Sequence, residues 1–395
     1  MAKREEFVNQ SYLAIASRCS DSVTNGVPRE EKRVQTNFFA LGNDRKIMKA
    51  AIFLIFAFLL TVSDGSTQER KPTSISELAV YRGPDRESLL YAGAKTEGKL
   101  TWYTSLAGAS YKELAKAFSA KYPGIELEPF RAPGADLVVR LEEEAKAGRN
   151  IADTIETTEG SLIFLRDEKI IRPYDSPYLD KYPGDAKEPA NKGLVYWALA
   201  RESYIGFTYN TKLLPNEAVP KNFAGLLDPR LKGRMGISIG QTSDKIIGAM
   251  IKTRGEEFVK SLKGQKMKLY SIGAPALVHT IESGEIIASP AIFQTHALLA
   301  ASKGAPVEWI PMDLVPTNVG SAAIAADPPH PHAALLMADF LLSPDGQAVL
   351  EKFYYGSAAT PQPFEKWRPE HGLKTDQYEK QLAHWDDLLN FIAHR

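Results

Sequence analysis

The chain has 395 residues, 48 of them basic and 48 acidic, and a formal net charge of zero. It therefore lacks the basic excess of a nucleic-acid or membrane-surface protein, while the count says nothing about the charge of a small ligand. With a single cysteine, Cys19, it cannot form an intrachain disulfide.

Residues 1–47 are polar and mixed, without a sustained period. They are followed by "MKAAIFLIFAFLLTVSDGS" (48–66), in which Lys49 precedes an apolar run of 13 residues from Ala50 to Val62. A membrane-spanning helix needs about 20 residues. The run is short for a span and right for the apolar segment of a secretory signal. Ser63 and Gly65 supply the small-x-small pattern of a cleavage site. A buried helix is the alternative, but the run has no polar face. Residues 48–65 are read as a signal peptide, with Met48 the true initiator or 1–47 a genuine leader. The mature chain then has no cysteine, hence no thiolate nucleophile and no lipoprotein anchor. That fits a bacterial periplasm.

About 330 residues follow the signal, enough for two domains. Residues 66–84 read as a flexible tail. Beyond it, helices and strands alternate: helix 85–98, strand 99–105, helix 110–124 with Ser110 as its cap, strand 125–132, helix 135–148, strand 152–157, helix 160–169. Such alternation predicts a mostly parallel sheet with helices on both faces. A second series covers strand 234–240, helices 243–255 and 255–264, strand 268–273, helix 275–284, strand 285–293, helix 295–304 and strand 305–311. Helices then close the chain at 331–343, 343–354 and 375–394. Ser343, Pro344 and Asp345 form a helix start: cap, first-turn proline and an acid at the positive end of the dipole.

Two motifs suggest catalysis or metal. "GISIG" (236–240) matches the G-x-S-x-G hydrolase elbow, with Asp327 and His330 as formal triad partners; yet Ser238 lies within the strand-like segment rather than on a strand-to-helix turn. His330 and His332 could bind a metal, but Pro331 between them marks a helix entrance.

The informative loops follow the strands, where open α/β sheets bind ligands and helix amino ends favour anions. They are Thr104 to Ser110, Thr157 to Ser161, Gln241 to Ser243, Ile272 to Ala274 and Phe293 to His296. Serine and threonine also cap helices for purely structural reasons.

The segments "LTWYTSLAG", "AFSAKYPGIELEPFRAPG", "IADTIETTEG", "GFTYNTKLLP", "FAGLLDPRLKGRMGI", "IESGE", "SKGAPVEWI" and "PHPHAALLMADFLLSPDGQAVL" resemble the periplasmic solute-binding proteins of ABC importers, in the ferric-iron-binding class (extracellular solute-binding protein family 1). The resemblance runs from about 88 to 365. It implies an α/β, type II periplasmic-binding-protein fold: two lobes joined by crossover strands near 205–211 and 318–325, a ligand between them, no catalysis, and a membrane permease as partner. Lobe 1 would comprise 85–207 plus 326–395, and lobe 2 208–325. The expected state is a monomer. No resident cofactor is implied, iron or an iron chelate being at most the cargo.

One departure stands out. Ferric-binding members carry a tyrosine pair after the strand equivalent to "ASPAIF", where this chain has Phe293, Gln294, Thr295 and His296; Tyr354-Tyr355 falls elsewhere. A small organic anion or chelated metal suits these groups better than a bare ferric ion, although a ferric site of non-standard form stays open. The residues expected at the ligand are Ser105, Arg131, Thr158, Glu159, Tyr204, Tyr209, Thr242, Ser243, Ala274, Phe293, Gln294 and Thr295. Arg131 would pair with a carboxylate or phosphate or form a surface salt bridge. Tyr204 and Tyr209 would stack on the ligand or pack at the hinge. Glu159 would meet a cationic group or favour its helix start. A periplasmic serine hydrolase using Ser238, and a sensory binding protein, are the other functional readings.

Overall fold

The computed structural model describes Pro72 and residues 74–394. The expected leader, the signal stretch and Cys19 lie outside the described residues. Order begins earlier than the sequence reading placed it. Ser74 and Glu77 form a reciprocal capping box around helix α1 (Ile75–Leu78), and Leu78 is fully buried. Residues 74–84 are thus packed chain rather than tail.

Next come α2 (Arg86–Glu97), β1 (Lys99–Thr104), α3 (Ser110–Lys121), β2 (Glu126–Arg131), α4 (Gly134–Lys146), β3 (Thr154–Thr158) and α5 (Glu159–Asp167). β1 pairs in parallel with both β2 and β3, as the alternation predicted, but the later strands of this sheet pair mainly antiparallel, so the sheet is mixed rather than mostly parallel. Gly98 closes α2 in the left-handed region, φ 75°, where a glycine costs least. Ser110 does not cap α3. It is the first helical residue, and its Oγ donates to the Ala107 carbonyl.

After β4 (Ile171–Arg172) and β5 (Lys187–Pro189) comes β6 (Val195–Asn210), a single strand of 16 residues. The chain continues through β7 (Gly236–Ser238), α6 (Gln241–Arg254), α7 (Glu256–Ser261), β8 (Met267–Tyr270), α8 (Ala274–Ser283), β9 (Ala288–Phe293), α9 (Gln294–Ser302), β10 (Val307–Ile310) and β11 (Val315–Ala325). It closes with α10 (Pro331–Leu342), α11 (Pro344–Glu351), β12 (Lys366–Trp367), α12 (Thr375–Ile392) and β13 (Ala393–His394).

β6 and β11 are the crossovers. They pair antiparallel from Trp197–Ala323 to Tyr204–Thr317. On the amino-terminal side of that pairing, β11 continues the sheet through β3, β1 and β2. On the other side, β6 pairs with β9 and β10. Both strands are buried along nearly their whole length, so each serves two layers of structure at once.

The apolar side chains divide accordingly. A first core gathers Leu90, Leu100, Trp102, Phe118, Leu335 and Phe340. Phe118 and Phe340 meet edge-on at 5.5 Å, a favoured aromatic geometry. Beside them Arg86 and Asp339 form a buried ion pair at 2.7 Å, 253 residues apart in the chain. A second core holds Ile205, Phe207, Phe223, Ile246, Met250 and Met267.

The carboxyl-terminal segment does not all join the first core, as the reading of 326–395 implied. α10 and α11 do. α12 contributes Trp385, Leu388, Leu389 and Ile392 to the second core, and β13 pairs with β8. α10 is buried on all sides in the first core, and the apolar stripe of α12 packs on the second core instead. α10 itself has no side-chain cap. The Glu97 carboxylate takes that role from another helix, accepting from the backbone N–H groups of His332 and Ala333 and facing the His332 ring at 2.7 Å.

Candidate functional site

Three loops end parallel strands side by side on the first sheet, and three more follow β7, β8 and β9. In the first set, Ser105 directly follows β1, its N–H donating to the Glu156 carbonyl while its buried Oγ has no partner. Arg131 ends β2 and is exposed, its Nε 3.4 Å from the Leu106 carbonyl. Thr158 ends β3, its Oγ1 3.4 Å from Ser161 Oγ. In the second set, Thr242 and Ser243 lie in the first turn of α6, where Ser243 is buried with an unpartnered Oγ. Ala274 opens α8 and is 8% exposed. Phe293 ends β9, and Gln294 and Thr295 open α9. Phe293 meets His296 edge-on. Burial pushes the His296 imidazole down to about 4, so the ring is neutral at physiological pH.

Three expected residues are committed elsewhere. Glu159 is fully buried and accepts from Trp197 Nε1 at 3.2 Å. Burial, then the Glu370 carboxylate, push it up to about 8, so it is mostly a neutral carboxyl and not a counter-charge for a cation. Tyr204 is 2% exposed, donates to Glu202 and packs edge-on against Phe364; it is a packing residue of the crossover. Tyr209 donates to Glu308 at 2.7 Å. It pairs with Ala288 at the start of β9, whereas Phe293 at its end pairs with Ile205. Four residues along a strand place it about 13 Å from the β9–α9 loop.

The chemistry the sequence did not disclose is a polar network around the crossovers. Lys245, in α6, contacts Glu370 at 2.5 Å with both side chains 2% exposed, and donates to Asn318 of β11 at 2.8 Å. Glu202 of β6, fully buried, faces Lys366 at 2.7 Å. Arg368 pairs with Asp185. Arg166 of α5 donates to the Leu373 carbonyl, and Thr375 to Asp167. The stretch 366–375 therefore touches α5, both crossovers and α6, a third link between the two cores. Arg201 and Glu156 form another buried pair at 2.9 Å, packed across Gly320, whose missing Cβ would lie 2.6 Å from Arg201 Nε. Sequence periodicity gave no signal for these pairs, because each joins charges distant in the chain that read individually as surface residues.

Ser238 is not placed for hydrolysis. It is the buried last residue of β7, paired in register with Tyr270, and β7 belongs to the second core, whereas His330 stands at the start of α10, which packs in the first. His330 starts α10 at the first core and faces Asp153 at 2.8 Å, while His332 faces Glu97; the two histidines serve separate carboxylates. Among the described residues, no group of three or more His, Cys, Asp or Glu is placed to hold a metal ion.

Residues 113–361 match the family model of the bacterial extracellular solute-binding protein. The chain belongs to this family. An uncharacterized protein of Haemophilus influenzae is 25% identical over 271 residues, 66% of this chain and 77% of that one. Among solved structures, IdiA (FutA) of Trichodesmium, determined with iron and citrate ligands, is 17% identical with a TM-score of 0.59, covering 75% of this chain and 99% of its own. Iron-bound HitA from Pseudomonas aeruginosa is 23% identical with a TM-score of 0.58, over 74% and 97%. AfuA from Actinobacillus pleuropneumoniae, with fructose-6-phosphate bound, is 21% identical with a TM-score of 0.59, over 74% and 99%. These likenesses fix the fold as that of type II periplasmic binding proteins. Family members are extracellular or periplasmic and bind solutes rather than transform them.

Proposed function

We propose that this solute-binding protein is the exported capture component of an ABC importer and takes a small organic anion or an anionic metal chelate between two lobes. The observation that carries the reading is the pair of loop sets, one after β1, β2 and β3 and the other after β7, β8 and β9, both rich in hydroxyl groups and helix amino ends. Such ends favour anions. The lobes correspond to the two cores: roughly 85–207 with α10 and α11, and 208–325 with α12 and β13. Ser105, Arg131 and Thr158 contribute from one side, and Thr242, Ser243, Ala274, Phe293, Gln294 and Thr295 from the other. Two similar proteins support an anionic cargo: one was solved with iron and citrate, the other with fructose-6-phosphate. Phe293, Gln294 and Thr295 offer no phenolate to a bare ferric ion. Residues 48–65 act as the signal for export to the periplasm, where a monomer closes on its ligand and the permease reads the closed form.

The test is native mass spectrometry of protein purified from the periplasm, followed by titration with ferric ion, citrate, ferric citrate and a sugar phosphate. We expect a chain starting near Ser66, an organic or chelate ligand, and at least tenfold weaker binding in Gln294→Ala. Tight binding of ferric ion alone would overturn the choice of ligand. An intact chain from Met1 would overturn the export reading.

A further inference from the structure

We propose that the amino end of α4, together with the hydroxyls of Ser105, Thr157 and Ser321, forms an oxyanion subsite that takes a tetrahedral, phosphate-type group of the solute. This deepens the reading above and rests on it.

Three strands carry the hydroxyls in one row. Thr104 pairs with Glu156 in the parallel β1–β3 register, which sets Ser105 beside Thr157. Thr157 pairs directly with Ser321 in the antiparallel β3–β11 register. Residues opposite each other across a ladder present side chains on the same face. All three hydroxyl oxygens are buried and, among the described residues, have no hydrogen-bond partner. Thr157 and Ser321 are 0% exposed. A buried hydroxyl left unpaired is costly, and three in one row imply a shared partner.

The middle member of the row, Thr157, lies against a helix start. α4 is 13 residues long, and its N-cap, Pro133, makes no side-chain cap bond. Its first N–H groups have no intrahelical acceptor and sit at the positive end of the dipole. Gly134 lets the hydroxyls approach. A β-carbon there would stand 2.7 Å from Ser161 Oγ and 3.0 Å from Thr157 Oγ1. Thr158 precedes α5 and makes no cap bond to it; its hydroxyl also faces Gly134, 3.2 Å from that β-carbon position. Arg131 stands three residues before Gly134 and carries an exposed positive charge beside this loop, while Asp136 of the same turn is also exposed. Donors from hydroxyls, backbone N–H groups and one guanidinium fit an oxyanion with several acceptor oxygens. The backbone N–H groups and the guanidinium do not fit a cation.

The test uses the full mature chain and two probes, inorganic phosphate and a hexose phosphate, read by calorimetry and by thermal shift. Variants are Thr157→Val, which keeps shape and removes the hydroxyl, Gly134→Ala, which fills the approach, and Thr253→Val, on the exposed side of α6, as a control away from both loop sets. We expect saturable phosphate binding to the parent chain, at least tenfold weaker in Thr157→Val and Gly134→Ala and unchanged in Thr253→Val. The unliganded melting temperatures separate lost binding from lost folding, and Ser321→Ala repeats the test at a second position. Phosphate affinity that survives all three substitutions overturns the subsite. So does tight binding of a solute that carries no oxyanion, an outcome that leaves the solute-binding reading standing. Failure of every solute tested, phosphate included, removes both.

Discussion

Lys245 and Glu370 meet at 2.5 Å with only 2% of each side chain exposed, and they join α6 of the second core to the stretch that leaves the first. Removing one partner of a buried pair strands the other charge, which typically costs about 3–5 kcal/mol. Glu370→Ala is therefore expected to lower stability to denaturant by about 3 kcal/mol. The double variant Lys245→Met/Glu370→Leu should recover most of that loss. Equal destabilisation in single and double variants would mean that the pair itself, rather than a stranded ammonium, is what matters.

Two carboxyls should pull the pH profile of stability in opposite directions. The His332 ring and the α10 backbone, against an opposing burial effect, hold Glu97 below its ordinary value. A depressed acid contributes stability above its unfolded pKa and loses it as the pH falls through the folded one. Glu97→Gln is expected to cost about 1–2 kcal/mol at pH 7, with the gap to the parent narrowing as the pH falls below the ordinary glutamate value. Urea melts at pH 7 and pH 3.5 measure both ends.

Glu159 works the other way. Its folded value is raised to about 8 from 4.5, so the unfolded chain ionises first as the pH rises. Stability is retained below the unfolded value and lost as the pH climbs through the folded one. Glu159→Gln should flatten that decline, leaving the variant more stable relative to the parent at pH 8.5 than at pH 5. Parallel curves for the two proteins would show that Glu159 titrates normally.

Gly320 is a place where a single methyl group should do harm at the crossover. An added β-carbon would lie 2.6 Å from both Cζ and Nε of Arg201 and would overlap the Glu156 carboxylate. Overpacking of this kind costs about 1–3 kcal/mol. Gly320→Ala should melt several degrees lower, and a double variant with Arg201→Ala should not add a full second penalty, because the two residues contact one another.

Much of the fold was legible because it is written locally. Alternation of period 2 and period 3.6 located the helices α2 to α12 and seven of the strands, while β6 and β11 came from the family resemblance and the short β4, β5, β12 and β13 were not read; Ser343, Pro344 and Asp345 start α11 as their chemistry predicts, Ser343 Oγ accepting from the Gly346 N–H. The Ser74–Glu77 capping box was equally local, yet it was read as tail because a four-residue helix has no period to display. The destination of α12 was not local. Its apolar stripe says that a partner exists but not which core supplies it. Within the candidate site, loop positions after strands were readable, whereas the states of Glu159, Tyr204 and Tyr209 were not. Each is decided by Trp197 and Glu370, by Glu202 and Phe364, or by Glu308, and these reach it through tertiary packing.

The buried Arg86–Asp339 pair has a bearing on synthesis. Its halves are 253 residues apart, and the core around it needs α10 and α11, which are translated after the whole of the second series of strands. Contacts of such separation form late and slowly. A nascent chain stopped anywhere short of α10 has no closed first core to hold it. Under the export proposed above, in which the polypeptide threads a secretion channel unfolded, this topology is a built-in delay: the part that emerges first is the part that cannot fold until α10 and α11 have been made.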